Sequence, residues 1–396
     1  MKDFQVVIVG GGLSSARAIK SYREEGGEGR IALISKDATL PYHRPPLSKR
    51  FLRGQTHEEP LVEDEMFYAD HGVEVMLEKA VRKIDTSERT VETETNNLRY
   101  SQLLLASGAW PRRLPVPGAE LENVFTLRTV DNSKAIRAAA ASAERCAIIG
   151  AGFIGMEVAS SLNQIGKDVS LIHLGRWPFD QLGVEQLSDE LAALYESKGV
   201  DLVLGNEVEA FHGNGQVERV TTKNGRKVEA DLAVIGVGVD PVTDFLDGSG
   251  VELDNGVVVT ERFETNVPDV YAVGDVANFF DPLFQRRRRI EHWSNANYQG
   301  TEVGKVLAGA RGGFDTVSTF FTEIFGITIR VLGDARRDSE VVVHGSLNDG
   351  EMFALYGDEN GEVIGALSVG QSEEVEELLK QQIVAHAPLN ALLNEF

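Results

Sequence analysis

Val6-Val7-Ile8-Val9-Gly10-Gly11-Gly12-Leu13-Ser14-Ser15-Ala16-Arg17 decides the fold of this chain. The apolar run fits a buried strand, the glycines a tight turn, and the residues from Leu13 to Glu25 a helix. A strand that turns into a helix through glycines aims backbone N–H groups and the positive end of the helix at a pyrophosphate. Arg30 to Ser35 returns as a second strand and completes a βαβ unit. The plan recurs 140 residues on, counted from Gly10 to Gly150, in Cys146-Ala147-Ile148-Ile149-Gly150-Ala151-Gly152-Phe153-Ile154-Gly155-Met156-Glu157. There a helix from Met156 to Gly166 leads into the strand Val169 to His173. One such motif also occurs in ordinary βα connections that hold no ligand, whereas two copies with the correct flanks point to two dinucleotides.

The totals narrow the class. At 396 residues and 42% hydrophobic, the chain can bury two or three cores, which favours a multi-domain enzyme. The formal charge of −22, from 39 Lys and Arg against 61 Asp and Glu, repels polyanions and argues against nucleic acid and anionic membranes. No apolar run approaches the roughly 18 residues of a membrane span, and the N-terminus enters a strand without a leader, so membrane insertion is not expected and the reading is cytoplasmic. The single cysteine, Cys146, reads as a small buried hydrophobe and allows no disulfide within the chain. Basic clusters at Arg286-Arg287-Arg288-Arg289, Arg112-Arg113, Arg336-Arg337 and from Arg44 through Lys49, Arg50 and Arg53 read either as solvated loops or as a docking patch for a small acidic protein.

Between and after the two βαβ units the pattern is mixed. Leu40 to Lys49 is a proline-stiffened loop of the kind that carries function. Tyr100 to Ala106 reads as a strand, and Pro111 to Pro117 as a linker. A helix over Glu185 to Lys198, a strand over Asp201 to Leu204, a hairpin over Val208 to Val228 and a strand over Leu232 to Val237 follow the second unit. Val270 to Asp275 is an apolar run ending in Gly-Asp, with a helix from about Ser294 to Leu307. The final stretch predicts strands at Ile327–Leu332, Glu340–His344, Met352–Tyr356 and Val363–Val369, then a helix capped by Ser372. The expected architecture is α/β: two Rossmann-like dinucleotide-binding domains and a C-terminal α+β domain.

The two glycine turns, Pro41-Tyr42-His43-Arg44-Pro45-Pro46-Leu47-Ser48-Lys49, Leu105-Ala106-Ser107-Gly108, Leu127-Arg128-Thr129, Tyr271 to Asp275 and Ile290 to Ala296 together resemble the FAD-dependent ferredoxin and rubredoxin reductases. These are relatives of apoptosis-inducing-factor flavoproteins and monodehydroascorbate reductases, and the resemblance spans nearly the whole chain. It implies an FAD-binding domain over residues 1–110 and 239–313, an NAD(P)H-binding domain over 111–238 and a C-terminal domain over 314–396.

The resemblance also implies site residues. FAD pyrophosphate falls to Gly10, Gly12, Ser14 and Ser15, where Ser15 stands in place of a third glycine and brings a hydroxyl within reach of the phosphate. The place of an acidic ribose ligand is held by Lys36, with Asp37 one step on. Asp275 is implied for the ribityl and phosphate region, Ala106 and Gly108 for the strand end beside it, and Arg44, Lys49, Val81, Arg128 and Trp293 for the flavin. Lys49 offers a cation to charge developing on reduction, and Trp293 a flat face. Glu157 is implied as the partner of Lys49, in an ion pair bridging the two dinucleotide domains; Glu291 is a second acid at the same mouth, and His292 a structural neighbour. NADH or NADPH falls to Gly150, Gly152, Ile154, Gly155 and Gly238. His173, 21 residues after Gly152, holds the place where a site selective for NADH offers Glu or Asp. With no carboxylate there and Arg176 close by, NADPH is accommodated on this reading. No metal is expected.

The function implied is electron transfer from NAD(P)H through FAD to a small acidic iron–sulfur protein, a ferredoxin or rubredoxin, with a homodimer left open. With no cysteine pair, no thiol relay intervenes. Two readings stand beside it: reduction of a small acceptor such as a quinone, monodehydroascorbate or oxygen, and a redox-sensing role like that of apoptosis-inducing factor.

Overall fold

In a computed structural model, which describes residues 2–392, the chain divides into two compact units. Among the described residues the first comprises 2–43, 59–110 and 240–316; the second comprises 44–58, 111–239 and 317–392.

The first unit is built on a mostly parallel sheet. Lys2–Val9 lies at its centre, flanked by Ile31–Ile34 and then Val73–Met76 on one side and by Asn97–Leu105 on the other. Lys2–Val9 is buried on both faces over its second half, as its continuous apolar run requires. Asn97–Leu105 divides its outer edge. Its first residues pair with the antiparallel strand Thr90–Thr93, which in turn pairs with Val81–Asp85, and its last three pair in parallel with Val270–Ala272. Val9 is in register with Ile34 and Leu105, and Leu105 with Ala272, so the carboxyl ends of these strands finish together where Gly10, Ala106 and Gly274 begin their turns. The helices Leu13–Glu24 and Trp293–Leu307 pack backbone to backbone through Gly300 and Gly304. A Cβ at either would meet Ser14 O or Ala18 O at 2.5 and 2.6 Å.

The second unit contains a five-stranded parallel sheet in the order Asp201–Leu204, Asp168–His173, Arg145–Ile149, Leu232–Ile235, Val124–Thr126. Residues 208–229, where a hairpin was expected, form three antiparallel strands, Val208–His212, Arg219–Thr222 and Lys227–Glu229. The last segment forms a five-stranded antiparallel sheet in which Thr319–Ile324 joins the four expected strands. Helix Glu373–Val384 follows, with Ser372 Oγ accepting from the Val375 N–H. Helix Val130–Ser142 was not expected. Thr129 and Asn132 cap it reciprocally, and its alanines gave no clear apolar period. No helix among the described residues is long and apolar enough to cross a membrane.

Candidate functional site

In the first unit, Gly10 adopts φ +117°, and a Cβ there would lie 2.1 Å from the Ala106 carbonyl oxygen. Only a bare backbone passes this point. Gly12 caps the 12-residue helix without a side-chain acceptor, the arrangement that leaves first-turn N–H groups to an anion. Ser15 departs from expectation. It is fully buried and its hydroxyl donates to Gly10 O at 2.5 Å, so it closes the turn instead of reaching a phosphate. Ser14 lies against Gly274, whose Cβ would stand 2.7 Å from Ser14 Oγ. The Gly274 N–H donates to Gln299 Oε1 at 2.8 Å, which fixes the turn carrying Asp275. Gly108 follows Ala106 with φ +70°.

At the end of the second strand Lys36 is exposed, with its ammonium 5.6 Å from the centre of the Trp110 ring. Asp37 is half-buried and accepts from Tyr42 Oη at 2.7 Å and from the Thr39 N–H at 3.3 Å, so the acid at this strand end is already held in place. Val81 opens the meander and is half-buried. Trp293 Nε1 donates to His43 Nδ1 at 2.9 Å. An indole only donates, so His43 must accept at Nδ1, and the orientation of Trp293 depends on a residue the sequence did not single out. His292 keeps part of its surface open but is crowded by protein; desolvation pushes it down to about 4, against the nearby Asp275 carboxylate and with the help of Arg288.

The arginine run is not a loop, although Arg286 and Arg287 stay exposed. Arg286–Arg288 is a strand paired with Ala277–Asp281. Arg287 donates to Val259 O at 2.6 Å, Arg288 pairs with the buried Asp281 at 2.7 Å, and Arg289 pairs with Glu291 and donates to Asp275 O at 3.1 Å.

In the second unit, Gly150 has φ +104° and a Cβ there would meet Gly236 O at 2.3 Å. Gly152 caps helix Phe153–Gln164, and Ile154 on the first turn is exposed. Gly238, with φ +100°, accepts at its carbonyl from the Arg112 N–H at 3.0 Å. Arg44 is half-buried at the head of the turn Pro45–Ser48, and Arg128 donates its N–H to Asn132 Oδ1 at 3.1 Å.

Lys49 and Glu157 meet. The ammonium lies 2.7 Å from Glu157 Oε1, with both side chains buried. Ser48 Oγ donates to Oε2 at 2.5 Å and Thr322 Oγ1 to Oε1 at 2.7 Å, so each carboxylate oxygen has a donor. The pair does not bridge the two dinucleotide domains as expected; both residues belong to the second unit. The cause is local. Ser133 Oγ donates to Leu47 O at 2.7 Å and Ser161 Oγ to Ser48 O at 2.6 Å, stitching the loop to the helices of this unit.

His173 Nδ1 accepts from the Ala151 N–H at 3.2 Å, so the imidazole closes the second glycine turn from the strand end. The expectation that no carboxylate lies there is overturned: Asp180 Oδ1 stands 3.8 Å from His173 Nε2, and Asp180 also faces Arg337 at 3.6 Å. Chain reversal after Gly175 delivers this acid from seven residues downstream, which strand-end spacing does not register. Burial lowers the His173 pKa, and Asp180 opposes that shift. Arg176 is exposed and stacked over Trp177 at 4.9 Å. Cys146 is buried in its strand, and desolvation pushes its thiol up to about 12.

Both turns offer a cradle that a single Cβ would fill and an uncapped helix N-terminus, so these residues fit a dinucleotide in each unit. The family described as pyridine nucleotide-disulphide oxidoreductase matches residues 4–300. Apoptosis-inducing factor 3 of Homo sapiens is 34% identical over 364 residues, covering 89% of this chain; the chain spans only 59% of that protein. The benzene 1,2-dioxygenase system ferredoxin–NAD(+) reductase subunit of Pseudomonas putida is 33% identical over 351 residues, covering 87% of this chain and 84% of the relative. Among solved structures, the covalent putidaredoxin reductase–putidaredoxin complex aligns with TM-score 0.92 at 28% identity, covering 98% of this chain and 94% of that one.

Proposed function

From a chain that belongs to the pyridine nucleotide-disulphide oxidoreductase family, we infer an FAD-dependent enzyme that oxidises NAD(P)H and delivers the electrons to a small iron–sulfur protein of the ferredoxin type. FAD, when bound, accepts an electron pair from a nicotinamide and can release it one electron at a time. The rest falls to this chain. Gly10, Gly12 and Ser14 shape the first cradle, and Asp275 is positioned beside it by the Gly274 to Gln299 bond. Gly150, Gly152 and Gly155 shape the second.

The buried Lys49–Glu157 pair is the observation that carries the reading. Burying two charges is costly unless each is matched and bonded, and here a matched pair is retained next to a dinucleotide turn. We assign Lys49 to the negative charge that develops on electron transfer and Glu157 to holding it in place. Cys146, with its thiol raised and enclosed, supplies no thiolate, which supports direct delivery to an external acceptor. The relative named as a ferredoxin–NAD(+) reductase subunit and the putidaredoxin reductase complex support an iron–sulfur acceptor.

The test is an acceptor screen. The FAD-loaded protein is reduced with NADH and NADPH in parallel, then mixed in stopped flow with a [2Fe–2S] ferredoxin, dichlorophenolindophenol, a quinone or oxygen. Fastest oxidation by the ferredoxin is expected. Oxidation by ferredoxin no faster than by dichlorophenolindophenol would remove the assigned acceptor, and a protein that takes up no FAD would remove the whole reading.

A further inference from the structure

Glu157 is held from two independent directions. Ser48 and Lys49 are adjacent in the proline-rich loop, so any shift of that loop carries both donors together. Thr322 comes from elsewhere: it lies in strand Thr319–Ile324 of the C-terminal antiparallel sheet, paired opposite Ile329. Its side chain is buried, as is that of Glu157. The turn directly after this strand is tied to the same helix, since the Phe325 N–H donates to Ser160 Oγ at 2.9 Å, one helical turn beyond Glu157. Toward a carboxylate the Thr322 hydroxyl acts as donor, so the 2.7 Å contact draws Oε1 to one place, the place from which it also meets the Lys49 ammonium. A second acceptor for that ammonium, Pro45 O at 3.3 Å, belongs to the loop itself and supplies no outside reference.

We propose that Thr322 is a positioning residue for the Lys49–Glu157 pair, fixing the carboxylate from the C-terminal sheet and, through it, the place of the Lys49 ammonium. This rests on the role assigned to the pair above. The experiment compares Thr322→Val, which keeps the shape and removes the donor, with Thr322→Ser, which keeps the hydroxyl, each alone and combined with Glu157→Gln. In the FAD-loaded protein the limiting rate of flavin reduction at saturating NADH should fall about tenfold in T322V. It should recover in T322S, with FAD content and NAD+ dissociation constant unchanged. In the E157Q background T322V should change the rate by less than about twofold, since coupled residues are non-additive. A second readout is thermal unfolding: T322V should lower the unfolding temperature more in the wild-type than in the E157Q background. A wild-type reduction rate in T322V, equal slowing in both backgrounds, or T322S as slow as T322V would each overturn the proposal. Should E157Q itself reduce at the wild-type rate, the role assigned to the pair fails, and the proposal fails with it.

Discussion

The two glycine turns solve one steric problem in opposite ways. Where the helix crosses back over the turn, the second unit uses Gly155, whose Cβ would lie only 1.8 Å from Gly150 O. The first unit places Ser15 at the matching position and converts the close approach into a 2.5 Å hydrogen bond to Gly10 O. Five residues past the capping glycine the contrast is electrostatic. Glu157 after Gly152 is buried and held by Lys49, Ser48 and Thr322, whereas Arg17 after Gly12 is partly exposed, 3.3 Å from Glu63 and 2.8 Å from Asn297 Oδ1. A shared backbone plan therefore carries a structural ion pair in one unit and, in the other, the buried pair to which chemistry is assigned. The lesson is that the glycines set the cradle and the fifth helical residue sets its use.

The largest effect should come from breaking that charge contrast. Glu157→Ala leaves Lys49 buried without its counter-ion, a loss of about 3–5 kcal/mol, while Arg17→Ala removes a partly exposed pair worth about 1 kcal/mol. Urea unfolding of the two variants reads the difference directly; equal costs would mean that the pair at Glu157 is solvated in a way its burial denies. Next in size is the steric contrast. Gly155→Ala drives a Cβ into the Gly150 carbonyl and should cost about 3 kcal/mol, with loss of NAD(P)+ binding to the turn. Ser15→Ala loses only one internal hydrogen bond, about 1 kcal/mol, and should retain FAD. If Ser15→Ala released FAD while keeping its unfolding midpoint, the hydroxyl would be serving the ligand after all.

How far these features were legible follows from where their partners lie along the chain. Both glycine turns, their strands and most of the C-terminal sheet show in local periodicity, because each is decided within about a dozen residues. The pairing of Lys49 with Glu157 came from resemblance, and Thr322 and Ser48 were not visible, since nothing local marks a hydroxyl that bonds across 165 or 109 positions. Thr319–Ile324 escaped notice because its alternation is broken by two adjacent phenylalanines. The four arginines misled for a related reason. Arg286 and Arg287 do face solvent, as a charge run usually does, but the run is a strand paired with Ala277–Asp281, and the completely buried Asp281 holds Arg288.

The smallest effect expected is also the one that sharpens the comparison of strand ends. In the first unit Asp37 is the acid at this place, held by Tyr42; in the second, His173 fills it and Asp180 arrives by chain reversal. Adenosine ribose binds at the end of the second strand of a βαβ unit, and a carboxylate there opposes a 2′-phosphate. The nearby cations are already engaged, Arg337 by Asp180 and Arg176 by the Trp177 face. Wild-type protein should therefore favour NADH. Asp180→Asn should move the ratio of kcat/KM for NADH over NADPH toward NADPH by about fivefold, the equivalent of roughly 1 kcal/mol for a partly screened charge. The same substitution frees Arg337 to meet a phosphate, which would add to the shift, so Asp180→Asn combined with Arg337→Ala separates the two contributions. A wild-type preference for NADPH that Arg337→Ala abolishes would reverse the assignment and make the arginine, rather than the acid, the group that selects the cofactor.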